Sequence, residues 1–143
     1  TTTALHAAID ADGLRDRVTF AGDLDEGALH AHYDAADVFV LPARHEGYGM
    51  AVAEAVAAGL PVVATPTGAI PDLVDDTSGI IVPIDDVDAL AAALGRTIGD
   101  DALRTSLAAG AARQRDTVPR WDRSARGMAD ALTRFATHGI LQR

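Results

Sequence analysis

The sequence predicts an α/β fold, a doubly wound parallel sheet with a helical appendage at the carboxyl end. Short β-branched segments bounded by Gly or Pro alternate with alanine-rich amphipathic segments. The alternation recurs at a spacing of about 20 residues, which is typical of right-handed βαβ units. Because the chain has no internal repeat and no Pro/Ser-rich linker, we expect a single domain over residues 1–143.

Four segments have the composition of buried parallel strands, since each is short, rich in β-branched residues and bounded by Gly or Pro. They are residues 17–22 (RVTFAG), 37–42 (DVFVLP), 60–65 (LPVVAT) and 79–83 (GIIVP). The chain opens on a helical pattern rather than on a strand. We therefore expect the sheet to lack its first strand.

Helical segments lie between and after these strands, and several have a recognisable start or stop. Residues 2–14 reach Gly13 as a stop, residues 49–59 end at a Gly59 cap, and residues 85–99 begin at an Asp cap. Further helices are predicted over residues 25–36, 101–115 and 120–138. Residues from about 100 to 143 thus form a helical extension.

Composition and charge exclude several classes of function. The chain has no Cys, which excludes disulfides and thiolate metal sites. No apolar run approaches the ~20 residues of a membrane-spanning helix. The net charge of -9 argues against nucleic acid as the partner. All 12 basic residues are Arg, so a Schiff-base lysine is also excluded. We expect a cytoplasmic protein, peripheral at a membrane only through a domain outside this chain.

Two groups of side chains resemble metal sites in composition alone. His30 and His32 are two positions apart and therefore lie on different faces of a helix. The cluster of Asp85, Asp86 and Asp88 precedes a predicted helix, and helix capping explains it better than a cation does. We therefore expect no metal and no cofactor.

The loops that follow the strands are the candidate ligand sites, because ligands of open α/β sheets bind beyond the carboxyl ends of the strands. These loops cover residues 22–24, 42–48 and 65–70. In the middle loop, Gly47 and Gly49 let the backbone approach a ligand and leave unpaired N–H groups at the start of a helix. The helix dipole favours an anion there, so the loop predicts a phosphate cradle without a cationic side chain.

Two of the three glutamates of the chain, Glu46 and Glu54, flank this cradle. Two carboxylates aimed at one phosphate would repel it, so we expect them to accept hydrogen bonds from hydroxyls beside the phosphates, as in a nucleotide sugar. The spacing alone also fits a carboxylate that caps a helix. Glu54 favours the interpretation as a ligand contact, since a carboxylate between Ala53 and Ala55 must either be exposed to solvent or have a specific partner.

Arg44 and His45 precede the first of these glutamates. Arg44 is the one cation of the three loops and could meet a diphosphate, although a surface Arg more often pairs with an Asp. His45 could donate a proton or contact a substrate, although a loop His is more often solvated.

Residues 17–94 resemble the C-terminal, donor-binding half of the retaining GT-B glycosyltransferases of the family 4 type. The resemblance is carried by a Glu, seven residues and a second Glu with Gly-Tyr-Gly between them, followed by GLPVVAT and a Gly loop. It implies a Rossmann-like domain that serves the transfer of a hexose from a nucleoside diphosphate sugar to an acceptor. It also implies an N-terminal acceptor-binding domain outside this chain.

The resemblance implies roles for the motif residues. Glu46, the candidate catalytic residue, contacts hydroxyls of the hexose, and Glu54 binds the ribose. Ala69 and Asp72 depart from the family pattern, which usually has Gly and Glu there. The other implied donor contacts are Gly22 and Leu24 beside the base, Arg44 and His45, the backbone of Gly47, Tyr48, Gly49 and Met50, and Gly68.

Other interpretations stay open at this point. The Arg and Lys that neutralise the leaving diphosphate in the family have no counterpart, and the chain contains no Lys. Without those cations the departing charge is poorly stabilised, so we expect the chain alone to be inactive. The alternatives are a fragment of a sugar-nucleotide epimerase and a non-catalytic nucleotide- or partner-binding α/β module. A second copy could cover an exposed sheet edge and form a homodimer.

Overall fold

The computed structural model describes residues 2–115, 128–130 and 133. The chain forms two compact units, of which the first ends at His32 and the second begins at Tyr33. The assignment of residues 1–143 to a single domain stays a prediction.

The first unit begins with helix α1, Thr2–Ala11, which is followed by a 3-10 helix, Arg15–Arg17. Gly13 has a φ of +65° just past the end of α1, as the predicted stop requires. Helix α2, Glu26–Ala35, starts in this unit and continues into the second. Asp25 caps it, because its carboxylate accepts a hydrogen bond of 2.8 Å from the Ala28 N–H.

The strand predicted over residues 17–22 is absent, and this prediction was wrong. Arg17 lies in the 3-10 helix, residues 18–22 have no regular structure, and Val18 and Phe20 are 39% and 45% exposed. A β-branched composition favours an extended backbone, but a strand also needs a neighbour that takes its hydrogen bonds. None of the residues that the structure describes provides that neighbour, so three strands form instead of four.

The second unit is built on a parallel sheet of β1, Phe39–Leu41, β2, Val62–Ala64, and β3, Gly79–Ile81, in the order β1-β2-β3. Val63 at the centre of β2 is in register with Val40 on one side and Ile80 on the other. All three residues of β2 are buried, as its unbroken apolar composition predicts. The predicted α/β class with a parallel sheet is thus confirmed.

Among the described residues, four helices follow β1 in this unit: α3, Met50–Ala58, α4, Ile70–Leu73, α5, Val87–Gly99, and α6, Asp101–Gln114. The predicted caps are present, since the Gly59 N–H bonds the last carbonyls of α3 and Asp86 accepts from the Ala89 N–H at 2.9 Å. The single turn α4 was not predicted, because four residues are too short for a periodic pattern. The helix predicted over residues 120–138 lies outside the described residues, apart from 128–130 and 133, which are helical.

The core occupies both faces of the sheet, because successive strand residues point to opposite sides. Val62 and Ala64 pack on one face with α3, whereas Val63 packs on the other with Ala93 of α5. Helix α3 is the most deeply packed of the helices, with Val52 fully buried near its start. This burial fixes the amino-terminal end of α3 at the edge of the sheet where β1 and β2 end.

Candidate functional site

Two loops meet at the carboxyl edge of the sheet: residues 42–49 between β1 and α3, and residues 65–69 between β2 and α4. The Ala69 N–H donates to the Gly47 carbonyl at 3.0 Å, and the Thr65 hydroxyl donates to the Ala43 carbonyl at 2.5 Å. Gly68 has a φ of +55°, and a Cβ there would collide with the carbonyl oxygens of Glu46 and Gly47. Gly68 therefore allows the two backbones to touch.

We expect Gly68→Ala to lower the free energy of unfolding by about 1–3 kcal/mol, since the methyl group must separate the two loops. Urea unfolding measures the change. Gly47→Ala is the matched control, because its Cβ would meet nothing within 4 Å and its φ is not positive. The control should stay within about 0.5 kcal/mol of wild type. Equal losses in the two variants would refute this packing role.

The Glu46 carboxylate folds back onto its own loop. Its Oε1 accepts hydrogen bonds from the Gly47 N–H at 2.9 Å and from the Gly49 N–H at 3.3 Å. Gly49 is buried and has a φ of +79° at the position just before α3. These two N–H groups belong to the loop that precedes α3 and not to the first turn of the helix itself. Glu46 satisfies the Gly47 and Gly49 N–H groups in this structure, and it accepts no hydrogen bond from the first-turn residues of α3.

Further donors remain at the first turn of α3. The N–H groups of Met50, Ala51 and Val52 make no hydrogen bond with the part of the chain that the structure describes. First-turn N–H groups lack a partner within their own helix and lie at the positive end of its dipole. The side chains of Tyr48 and Met50 beside them are 42% and 49% exposed. The start of α3 can therefore bind an anion.

Glu54 is exposed on a helix whose neighbouring residues are buried. It is also paired, because the Tyr33 hydroxyl donates to its Oε2 at 3.1 Å. Burial, together with this hydrogen bond, raises the pKa of Tyr33 to about 12. Glu54 follows Met50 by four residues, so it lies on the same exposed face about 6 Å further along the helix axis. One elongated ligand can thus reach both Glu54 and the first turn of α3.

Arg44 forms an ion pair with Asp85, which lies in the segment between β3 and α5. The distance from the Arg44 Nε to the Asp85 Oδ1 is 2.6 Å, and both side chains are exposed. The hydrogen bond to this carboxylate raises the pKa of Arg44 above its usual value. This is the pairing with an Asp that is common for a surface Arg. His45 is exposed and forms no hydrogen bond within the described residues.

Gly22 and Leu24 belong to the first unit, and their predicted contact with a base stays a prediction. The described residues contain no group of three or more His, Asp or Glu that could hold a metal ion. Among the same residues, no helix combines the length and the apolar character that a membrane crossing requires.

No sequence pattern assigned a site role to Tyr33, Thr67 or Asp85. The signal that could have identified Tyr33 is its residue type, because a partly buried Tyr usually brings its hydroxyl to a hydrogen-bond partner. Thr67 is buried in the loop after β2, and its hydroxyl has no hydrogen-bond partner within the described residues. Asp85 was grouped with its acidic neighbours as a helix cap, whereas Asp86 alone provides that cap.

Comparison with known protein families and sequences gives clear matches. Residues 2–100 match the family model described as Glycosyl transferases group 1. The D-inositol 3-phosphate glycosyltransferase of Xylanimonas cellulosilytica is 40% identical over 119 residues, which cover 82% of this chain and 28% of that protein. The chain spans between 24% and 28% of the length of the first curated relatives that it matches.

Solved structures match nearly the whole chain. Sucrose-phosphate synthase from Thermosynechococcus elongatus superposes with a TM-score of 0.83 at 30% identity, over 93% of this chain and 34% of that one. Anabaena HepE, solved in complex with UDP, gives a TM-score of 0.81 at 25% identity, over 92% of this chain and 36% of its own. In both neighbours the matching part is about a third of a longer chain.

Proposed function

The chain belongs to the glycosyl transferases group 1 family, and from this membership and the loop geometry we propose that it is the donor-binding domain of a retaining glycosyltransferase. It binds a nucleoside diphosphate sugar, whose hexose passes to an acceptor held by a domain outside this chain. The observation that carries the proposal is that Glu54 lies exposed on α3, about one turn beyond first-turn N–H groups that have no partner among the described residues. The sequence resemblance to the GT-B enzymes is confirmed by the family match.

The diphosphate is proposed to bind at the start of α3. Its oxygens accept hydrogen bonds from the N–H groups of the first turn, where the helix dipole favours negative charge. Backbone donors suit a chain with a net charge of -9, because they need no cationic side chain. The UDP bound to Anabaena HepE supports a nucleoside diphosphate as the ligand class.

The two glutamates are proposed to bind the sugars on either side of the diphosphate. Glu54 accepts hydrogen bonds from the ribose hydroxyls, about one helical turn beyond the phosphates. Glu46 releases the Gly47 and Gly49 N–H groups when the donor binds and turns to the hydroxyls of the hexose. The proposed contact of the base with Gly22 and Leu24 is drawn from the sequence resemblance alone.

The proposed transfer retains the configuration of the anomeric carbon. The acceptor hydroxyl attacks that carbon on the face from which the diphosphate leaves, so one C–O bond forms as another breaks. The acceptor proton passes to an oxygen of the departing diphosphate. Glu46 and Glu54 orient the donor for this step. The chain alone should bind the donor without transfer, since it has no Lys and Arg44 pairs with Asp85.

Calorimetric titration of the chain with UDP, GDP and ADP, and with their hexose conjugates, tests the proposal. We expect at least one nucleoside diphosphate to bind with a Kd below about 1 mM, and its monophosphate to bind more weakly, since it offers fewer acceptors. Inorganic phosphate and the matching nucleoside are the controls for the two halves of the ligand. Absence of binding by all three diphosphates and their conjugates would reject the proposed function.

A further inference from the structure

Tyr33 in α2 is joined to Glu54 in α3 by a hydrogen bond, and the role that we infer for this bond rests on the proposed function. We propose that Tyr33 is a positioning residue that holds the Glu54 carboxylate for the two ribose hydroxyls and thereby makes the site select ribonucleotides over 2′-deoxyribonucleotides. Tyr33 acts through Glu54 and does not need to touch the ligand.

The two oxygens of the Glu54 carboxylate have different surroundings. The Tyr33 hydroxyl donates to Oε2 of Glu54 at 3.1 Å, and no described residue donates to Oε1. An exposed Glu otherwise samples several rotamers, and ordering it on ligand binding costs conformational entropy. The bond from Tyr33 reduces that cost, because the carboxylate is already held before the ligand arrives.

The position of the hydroxyl is itself fixed by the core. The Tyr33 ring is half-buried and packs against the cluster that joins α3 to β2. Its ring centroid lies 6.0 Å from that of Phe39 in β1, at an interplanar angle of 38°. Since α3 and β1 both belong to this cluster, the phenol and Glu54 are positioned by the same packed residues.

The hydroxyl has one proton and two possible acceptors. The Ala51 carbonyl lies 3.4 Å away, further than Glu54. The shorter bond to the charged acceptor is the stronger one. Burial raises the pKa of Tyr33 to about 12, so the hydroxyl remains protonated and remains a donor at neutral pH. Glu54 is therefore the main acceptor throughout the usual working range.

A carboxylate with a fixed orientation distinguishes ligands with and without the 2′-hydroxyl better than a mobile carboxylate does. With its orientation fixed, Glu54 can accept from both ribose hydroxyls at once, and a ligand without the 2′-hydroxyl forfeits one of these bonds. A freely rotating carboxylate can turn towards the single remaining hydroxyl and recover part of the loss. Removing the Tyr33 hydroxyl should therefore reduce the ratio of the two affinities, and not merely both affinities together.

Titration of wild type and Tyr33→Phe with UDP and 2′-deoxy-UDP tests this inference, with GDP or ADP and their deoxy analogues used if they bind more tightly. We expect UDP to bind about fivefold more weakly to Tyr33→Phe, because the ligand must then order the Glu54 side chain, at a cost of about 1 kcal/mol. Binding of the deoxy analogue should change by less than about twofold. The ratio of the two Kd values thus reports positioning, which a purely structural role would leave unchanged.

The same titrations on Glu54→Ala and on the double variant complete the test. If Tyr33 acts through Glu54, adding Tyr33→Phe to Glu54→Ala should cause no further loss of ribonucleotide affinity, because the carboxylate is already absent. Equal weakening of both ligands by Tyr33→Phe, or no change in either, would overturn the role of Tyr33 while Glu54→Ala still weakens the ribonucleotide. If Glu54→Ala also leaves the ribonucleotide affinity unchanged, the proposed ribose site itself is wrong.

Discussion

Replacing Glu54 by alanine is expected to weaken nucleoside diphosphate binding by about 10- to 100-fold. The substitution removes the only proposed acceptor for the ribose hydroxyls, and a hydrogen bond to a charged group contributes about 1.5–3 kcal/mol. Stability should change little, because the side chain is exposed. Calorimetry at a fixed salt concentration measures the affinity, and thermal unfolding verifies the fold.

Glu26→Ala is the matched control for this experiment. Glu26 is the remaining glutamate of the chain and lies exposed in the first turn of α2, and its side chain makes no hydrogen bond with the described residues. Glu26→Ala therefore removes the same charge at a residue with no proposed ligand contact, and this variant should bind the nucleoside diphosphate with wild-type affinity. Similar losses in Glu26→Ala and Glu54→Ala would show a general effect of net charge and would contradict the ribose assignment.

Replacing Glu46 by alanine should strengthen the binding of a free nucleoside diphosphate and abolish the additional affinity of its hexose conjugate. The carboxylate occupies the Gly47 and Gly49 N–H groups in the structure, so its removal frees these donors and eliminates a negative charge beside the phosphates. We expect a free nucleoside diphosphate to bind about 3- to 10-fold more tightly. The extra affinity of the hexose conjugate should be lost, because the hexose hydroxyls lose their acceptor.

The effect of Glu46→Ala on transfer should be larger than the effect on binding. In a transferase that contains this chain, a misplaced hexose is expected to lower kcat/KM by about 100-fold. Glu46→Gln is the control of equal size, since its amide oxygen can still accept from the Gly47 N–H while the charge is gone. Weaker binding of the free diphosphate by Glu46→Ala would refute the displacement of the carboxylate by the ligand.

Local patterns accounted for most of the second unit. The apolar run of β2, the Gly59 cap of α3 and the Asp86 cap of α5 each depend on a few adjacent residues, so the sequence was sufficient to predict them. The strand expected over residues 17–22 failed because strand formation depends on a partner elsewhere in the chain. Composition reports a preference for extended backbone, and it does not report whether a neighbour is present.

The site was predicted only in part, because some of its contacts join residues that are far apart in the sequence. The motif placed Glu46, Gly47 and Gly49 in one loop, but it did not specify that the Glu46 carboxylate accepts from the Gly47 and Gly49 N–H groups. The contacts of Tyr33 with Glu54 and of Arg44 with Asp85 join residues 21 and 41 positions apart. Such pairs follow from how the helices and strands pack, which a single sequence does not specify residue by residue.

The proposed site requires one nucleoside diphosphate to span the start of α3 and Glu54. A crystal structure of the chain with the diphosphate that binds most tightly measures this directly. We predict that the diphosphate oxygens lie within hydrogen-bond distance of the first-turn N–H groups of α3, that the ribose hydroxyls lie on the Glu54 carboxylate, and that Glu46 has left the Gly47 and Gly49 N–H groups. A ligand bound elsewhere, or one whose ribose lies away from Glu54, would contradict the proposed function.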